Sequence, residues 1–289
     1  METNSKESNG KPPWLKVRAC GNHKYLEVQS LLKEHNLHTV CQEANCPNRG
    51  ECFSSGTATF LIMGPNCTRN CSFCNVTPGQ AAPIEDEEPA RVARTVEILG
   101  ISHAVITSVT RDDLPDGGAG QFAKVIRAIR ELKRDISIEV LTPDFKGIFD
   151  QVGIVLDAGP DIFNHNVETV PRLYRTVRPG AVYRRSLEVL RYAADDARAA
   201  VKSGLMVGLG ETEAELLEVF ADLHTAGVAF LTIGQYLSPS KKHHPVIRYY
   251  HPSEFEALAS KARETGIKSV FSGPLVRSSY HAGEQYRQQ

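Results

Sequence analysis

Six cysteines fall between residues 41 and 74 of this chain, and of the seven in the sequence none follows Cys74. They form two triplets. The first is Cys41-x4-Cys46-x5-Cys52, within CQEANCPNRGEC; the second is Cys67-x3-Cys71-x2-Cys74, within CTRNCSFC. Disulfide frameworks belong to small secreted chains with small cores. This chain has 289 residues, and Met1 to Gly10 is polar with no apolar segment of a secretory signal. Clustered thiols in such a chain bind metal. Each triplet holds three thiols, whereas structural zinc closes its shell with four ligands. A zinc reading therefore needs a distant fourth ligand for each triplet. An iron–sulfur cubane held by three thiolates keeps one iron open for a substrate or a labile ligand. His243 and His244 could complete a zinc shell, but six thiols give no need for them. Cys20 stands apart and reads as a lone thiol.

The elements that must carry these thiols are legible from periodicity. Residues 1–13 read as a disordered start, polar with Gly10 and Pro12-Pro13. Residues 14–56 form an N-terminal extension, with one helix marked by Val28, Leu31, Leu32 and His35 and a cysteine-bearing loop. From 57 to 289 strands alternate with helices. Strands are expected at 57–63, 103–109, 137–141, 161–166, 200–208 and 230–237, with a short addition at 269–271. Helices are expected at 89–99, 121–134, 147–157, 182–194 and 212–224, and a last one is capped by Ser253 with Glu256. In 121–134 the apolar face is Phe122, Val125, Ile126, Ile129 and Leu132; Thr212 with Glu215 forms a capping box. Six βα units predict an α/β fold, a partial (β/α)6 TIM-type barrel, with a doubly wound sheet as the alternative. Chemistry in such folds gathers at the C-terminal strand ends. Polar clusters stand there: Thr107-Ser108 with Arg111-Asp112-Asp113, Asn164-His165-Asn166 with Glu168, Gly208 to Thr212, and Gln235-Tyr236-Leu237. Four together point to one shared site.

Composition narrows the function classes. Lys plus Arg is 33 against 34 Asp plus Glu, a net charge of −1, which argues against a nucleic-acid binder working by bulk charge. The 41% hydrophobic and 23% charged fractions are ordinary globular values. No apolar run approaches the ~18 residues of a membrane span. With no export signal visible, a cytoplasmic location is expected.

The Cys-x3-Cys-x2-Cys spacing, with Phe73 before the last thiol and the first strand of the series just before it, resembles the signature of the radical S-adenosylmethionine superfamily. Residues 14 to 289 then resemble the lipoyl synthase family. The resemblance rests on CQEANCPNRGEC, TSVTRDDLPDGGA, FNHNVETV with YRTVRPGA, MVGLGET, GQYLSPSKKHHPVIRYYHPSEF and RSSYHA at 277–282. It implies that Cys67, Cys71 and Cys74 hold a 4Fe–4S cluster whose open iron chelates S-adenosylmethionine. One electron from a flavodoxin or ferredoxin then yields a 5′-deoxyadenosyl radical. It implies a second 4Fe–4S cluster on Cys41, Cys46 and Cys52, with Ser279 as fourth ligand and Ser278 as the alternative, on a C-terminal segment that closes over the barrel. That cluster is the sulfur source, since a serine oxygen suits iron less well than thiolate. The implied substrate is an octanoyl-lysine on lipoyl domains of 2-oxoacid dehydrogenase complexes or on the glycine-cleavage H protein. Sulfur enters at carbon 6 and carbon 8, with two S-adenosylmethionine molecules used per lipoyl group.

By the same resemblance, Thr107 and Ser108 meet the methionyl amino group, and Asn164, Asn166 and Glu168 the ribose hydroxyls. Gly208 allows close backbone approach, Tyr236 and Leu237 flank the adenine, and Arg178 pairs with a carboxylate. Two basic stretches remain, Arg172 through Arg191 and Lys241-Lys242-His243-His244. They read as solvated faces or as a docking surface for an acidic carrier domain. A biotin-synthase-like enzyme and a zinc-binding interaction module are the rival readings. The pairing of CQEANCPNRGEC with RSSY speaks against the first, and the open triplets against the second.

Overall fold

The computed structural model describes residues 11–17 and 21–287. Cys20 and most of the N-terminal start expected to be disordered lie outside the described residues.

The N-terminal extension opens with α1 (His23–Glu34), where the Asn22 side chain caps the Tyr25 N–H at 2.9 Å. Val28 and Leu32, one turn apart, are its buried face. Three short elements follow: β1 (His38–Thr39), α2 (Val40–Glu43) and α3 (Arg49–Ser54). The first barrel strand is β2 (Thr59–Ile62), and a minimal parallel pair, β3 (Asn66–Cys67) and β4 (Thr77–Pro78), ties the base of the second cysteine segment. Then come α4 (Glu88–Leu99), β5 (His103–Ser108), α5 (Ala119–Arg130), β6 (Ser137–Leu141), α6 (Phe149–Asp157), β7 (Ile162–Asn164), α7 (Tyr174–Val177), α8 (Tyr183–Asp196), β8 (Ala200–Val207), α9 (Glu213–Thr225), β9 (Phe230–Gln235), α10 (Pro252–Glu264), β10 (Ser269–Gly273) and α11 (Ala282–Arg287).

The eight-stranded sheet runs β1-β2-β5-β6-β7-β8-β9-β10. From β2 to β10 every neighbour is the next barrel strand and every pairing is parallel. A doubly wound sheet would reverse its order at a switch point; this one does not, so it curls one way as an open barrel. The short strand expected at 269–271 extends to Gly273 and is a full member, which makes the parallel series one strand longer than six. The antiparallel β1 at the other edge was not expected: two residues are too few to show a period.

Helix faces follow the apolar spacing. Phe122, Val125, Ile126 and Ile129 are buried on α5, although the helix stops at Arg130, short of Leu132. Thr212 and Glu215 make the expected capping box. The cap expected at Ser253 with Glu256 is corrected: His251 is the N-cap and Glu254 the reciprocal partner, two residues earlier.

The barrel interior is not all apolar. Glu139 is fully buried and accepts from Lys202 Nζ at 3.0 Å and Asn164 Nδ2 at 2.9 Å. Burial opposes its charge, but Lys202, His103 and Asn164 outweigh that and hold its carboxyl below the usual range. A buried pair so closed costs desolvation; it also fixes which way the Asn164 amide faces.

Candidate active site

The second cysteine segment is strapped over the C-terminal ends of the strands. Cys67 Sγ accepts the backbone N–H groups of Arg69 at 3.4 Å and Thr110 at 3.3 Å. The Arg69 guanidinium bonds Asp112 and Asp144, each at 2.7 Å, so this segment is pinned to the loops after β5 and β6. Ser72 N–H donates to the Val177 carbonyl (2.9 Å) and Ser72 Oγ to the Thr176 carbonyl (2.7 Å). His243 Nε2 lies 3.1 Å from the Cys74 carbonyl, and the His244 N–H donates to Ser72 O at 2.8 Å. Contacts from four strand-end loops thus hold three thiols across the barrel mouth.

The first triplet gathers at the other end of the same strands. Cys41 on α2, Cys46 and Cys52 on α3 line one cavity of about 370 Å³ with Thr59, His103, Val105, Arg277 and Ser279. Thr59 opens β2 and His103 opens β5. Ser279 lines this cavity and Ser278 does not. The C-terminal segment reaches the cavity by crossing to the extension: Asn48 Nδ2 donates to the Leu275 carbonyl at 2.7 Å, and Tyr280 Oη to Glu51 Oε1 at 2.9 Å. Gly234 on β9 makes the crossing possible, because a Cβ there would overlap the Val276 carbonyl oxygen.

Both donor sets suit iron–sulfur clusters. None of the six thiols is in a disulfide. Burial pushes Cys41 up to about 11 and Cys52 up to about 12, with neighbouring thiols adding to the rise. Cys74 is pushed up to about 12 by burial, with Cys71 and Cys67 adding to it. Packed thiols that resist ionising one by one give up their protons together to a metal centre. A cubane gives each of three thiolates its own iron. N–H donors on Cys67 Sγ are of the kind that tune cluster potentials.

The strand-end residues divide by whether their polar atoms are already used. Thr107 Oγ1 donates to the Leu141 carbonyl at 3.0 Å and is committed to the sheet. Ser108 Oγ is buried with no partner, as are Asn164 Oδ1, Asn166 Oδ1 and Arg178 Nε. Buried polar atoms without partners are rare, and these four are left for water or a ligand to satisfy. Asn166 Nδ2 reaches Glu168 Oε1 at 3.1 Å, and Arg178 Nη1 holds the Asn166 and Val167 carbonyls at 2.9 and 3.2 Å. Burial raises the Glu168 carboxyl, against the lowering pull of Arg178 and Asn166.

Gly208 differs from its expected use. The space over its Cα is filled by the Gln235 side chain and the Arg248 carbonyl, so glycine there serves internal packing. Tyr236 is enclosed, with Oη donating to the His244 carbonyl at 2.7 Å, while Leu237 is half-buried. Arg277 was not singled out from the sequence. It is half-buried, and desolvation pulls its pKa down; Cys46 and Glu168 are the charges that oppose this. Glu168 in turn is felt by Cys71 and Cys74, so Arg277 and Glu168 bridge the space between the triplets.

Part of the first basic stretch is paired. Arg172 pairs with Glu215, Arg184 with Glu188, and Arg185 reaches Asp144 at 3.3 Å. Arg178 points inward. Arg172 and Arg184 stay exposed while paired, and Arg175 and Arg191 are exposed with no ion pair among the described residues, so the stretch keeps the solvated face expected of it.

An open parallel barrel with three thiols across its mouth defines the class. Residues 61–223 match the Radical SAM superfamily. An FeFe-hydrogenase maturase from Carboxydothermus hydrogenoformans superposes with a TM-score of 0.57 over 79% of this chain and 65% of that one, at 16% identity. Methylornithine synthase does so at 0.53 over 89% and 84%, at 13% identity. At such identities these neighbours show the fold alone. Sequence relatives go further. Lipoyl synthase of Rubrobacter xylanophilus is 55% identical over 278 residues, 96% of this chain and 87% of the relative. That of Caldicellulosiruptor saccharolyticus is 55% identical over 275 residues, 95% and 96%, and that of Porphyromonas gingivalis 50% over 272, 94% and 96%. The chain belongs to the lipoyl synthase family of radical S-adenosylmethionine enzymes. Among the described residues no helix is long and apolar enough to cross a membrane.

Proposed function

We propose that this chain inserts sulfur at carbon 6 and carbon 8 of an octanoyl group amide-linked to a lysine of a lipoyl-type carrier domain. Cys67, Cys71 and Cys74 hold the 4Fe–4S cluster that binds S-adenosylmethionine; Cys41, Cys46, Cys52 and Ser279 hold a second. When bound, these groups supply a 5′-deoxyadenosyl radical and a sulfide donor. The observation that supports the reading is that the two thiol sets lie at opposite ends of the same strands. β2 is four residues long, roughly 10 Å. A chain lying in the barrel can meet the radical from one side and sulfur from the other.

The protein's own work is positioning. Ser108, Asn164, Asn166 and Glu168 offer the free oxygens for the amino and ribose groups of S-adenosylmethionine. Arg178 fixes the Asn166–Val167 backbone and faces Cys71. Arg277 gives a positive charge between the two sites. Ser279 would complete the second set with a hard oxygen, a weaker ligand for iron than thiolate, so it would be the member most readily lost.

The test is anaerobic loading with iron and sulfide, followed by an octanoyl-lysine peptide, S-adenosylmethionine and dithionite. About eight irons per chain and a product gaining two sulfurs are expected. Cys74→Ala should lose about half the iron and all deoxyadenosine; Cys46→Ala should lose as much iron yet keep deoxyadenosine and gain no sulfur. Wild-type enzyme that makes deoxyadenosine without sulfur insertion would refute the assignment of the second site.

A further inference from the structure

The second basic stretch stays free. Lys241 and Lys242 are exposed and, among the described residues, neither has a carboxylate within ion-pair distance. The same holds for Arg175 on α7. These cations stand on two segments that close on the same few residues of the cysteine loop. Thr176 and Val177, next to Arg175, accept from Ser72. His243 and His244, next to Lys242, contact Cys74 and Ser72 through their 3.1 and 2.8 Å bonds. Only one or two hydrogen-bonded residues separate each free cation from the backbone between Cys71 and Cys74. Since the whole chain carries −1, this positive field is a local feature and not a share of a general one.

The reading under Proposed function, on which this inference rests, requires one electron to reach the centre at Cys67, Cys71 and Cys74 for each S-adenosylmethionine cleaved. The cavity at the second thiol set is lined instead by Gly100 and Ser102, both exposed, at the other end of β2 and β5. Electron delivery and access to that cavity therefore use different faces. We propose that Arg175, Lys241 and Lys242 form the docking surface for an acidic one-electron carrier protein with a flavin or iron–sulfur group. The balance is simple: the reduced carrier loses one electron, the cysteine-held centre gains it, and no bond or proton moves. Complementary charge would speed encounter and set orientation, leaving most of the contact polar and salt-sensitive.

The experiment compares loaded wild-type enzyme with Lys241→Glu/Lys242→Glu and with Arg175→Glu, using a bacterial flavodoxin as the probe. Affinity is measured by calorimetry at low and high salt, and reduction of the centre by stopped-flow absorbance. Turnover with dithionite is the control. We expect the double variant to weaken flavodoxin affinity and slow reduction by about tenfold or more at low salt, with the gap closing at high salt. Dithionite-driven turnover and the KM for an octanoylated lipoyl domain should stay within about twofold of wild type. Unchanged flavodoxin affinity overturns the proposal. So does an equal loss with dithionite, which would make the patch structural, or a raised carrier-domain KM under dithionite, which would make it the carrier's dock. If wild-type enzyme fails with dithionite as well, the activity reading fails, while the affinity comparison still decides whether flavodoxin uses this surface.

Discussion

Replacing Gly234 by alanine should separate radical generation from sulfur insertion. Gly234 lies on β9, paired with Met206 on β8 and Gly273 on β10. A Cβ there would overlap the Val276 carbonyl oxygen and sit 3.1 Å from Arg277 Nη1. A backbone carbonyl cannot rotate aside as a flexible side chain can, so either β9 or the 275–277 segment moves. Overpacking of this kind costs about 1–3 kcal/mol. The segment's outer anchors are the Asn48–Leu275 and Tyr280–Glu51 bonds, each worth about 1 kcal/mol net. The central strand has far more to lose, so the segment yields first. At 1.4 kcal/mol per decade, its seated population should fall by about 5- to 150-fold, and with it Ser279 and Arg277 leave the second site. Loaded Gly234→Ala enzyme should therefore still form deoxyadenosine from S-adenosylmethionine. It should lose most sulfur insertion and be cut faster by trypsin at Arg277. Gly273→Ala is the control: its Cβ would meet only Val276 Cγ2, at 3.2 Å, a side-chain contact that can relax. Wild-type sulfur insertion with wild-type trypsin resistance in Gly234→Ala would refute the reasoning, as would an equally damaged Gly273→Ala.

Three further outcomes follow from single contacts. Ser279→Ala should cut sulfur insertion by about tenfold or more while Ser278→Ala stays within about twofold, by mass spectrometry of the peptide product, because only Ser279 lines the thiol cavity. Ser108→Ala should raise the KM for S-adenosylmethionine by about tenfold, the loss of one hydrogen bond. Thr107→Val should leave that KM alone and lower the thermal midpoint, since its hydroxyl is spent on Leu141; the reverse pattern would put Thr107 on the ligand. His165 is enclosed between the Thr142 carbonyl and Ser186 Oγ, both at 2.9 Å, and burial, then the Arg178 charge, pushes it down to about 4. An unfolded histidine titrates near 6.5. Between those values the unfolded chain takes up a proton that the folded chain refuses. Stability is full above about 6.5 and falls as pH drops toward 4, by roughly 3 kcal/mol in all. Thermal unfolding of loaded enzyme from pH 7.5 to 5 should show a flatter profile in His165→Gln; parallel profiles would remove His165 as the cause.

Much of the fold was legible because its signals are local. Ser137–Leu141 reads as a strand from its β-branched run, and the structure ends it at those residues. Thr212 and Glu215 speak for a helix start through side chains three apart. The failures have the same origin. His251 caps α10, but histidine is outside the usual capping set, and Ser253 with Glu256 offered the same spacing two residues later. Gly208 and Gly234 look alike in sequence; the protein fills the space over one with Gln235 and over the other with Val276. The first arginine stretch read as one face because it is contiguous, yet Arg185 and Arg172 find Asp144 and Glu215 41 and 43 residues away. The second cysteine segment was legible from its spacing as the segment that carries the superfamily's motif, within the matched residues 61–223. That Arg277 joins the two sites was not, since nothing near it in sequence is its partner.

The distance along the chain between the two halves of the second site has a physical consequence. Its thiols come from residues 41–52 and its oxygen from Ser279, and the Asn48–Leu275 bond that brings them together closes 227 residues. Loop-closure entropy grows only as the logarithm of length, so closing this span costs about 2 kcal/mol more than closing one of 20 residues. Once the barrel is folded even that difference vanishes, because β1 and β10 already hold both chain ends near the open edge. A remote ligand is therefore cheap to bring in, and equally cheap to let go. On the proposed assignment, Ser279 would be an oxygen ligand that can leave without disturbing the three thiols or the strands behind them. The first site has no such member: Cys67, Cys71 and Cys74 share one eight-residue segment, pinned by Arg69, Ser72, His243 and His244 to four loops. One set is built to stay intact through each electron transfer. The other, on the proposed assignment, would depend on a single weak tether for its oxygen ligand.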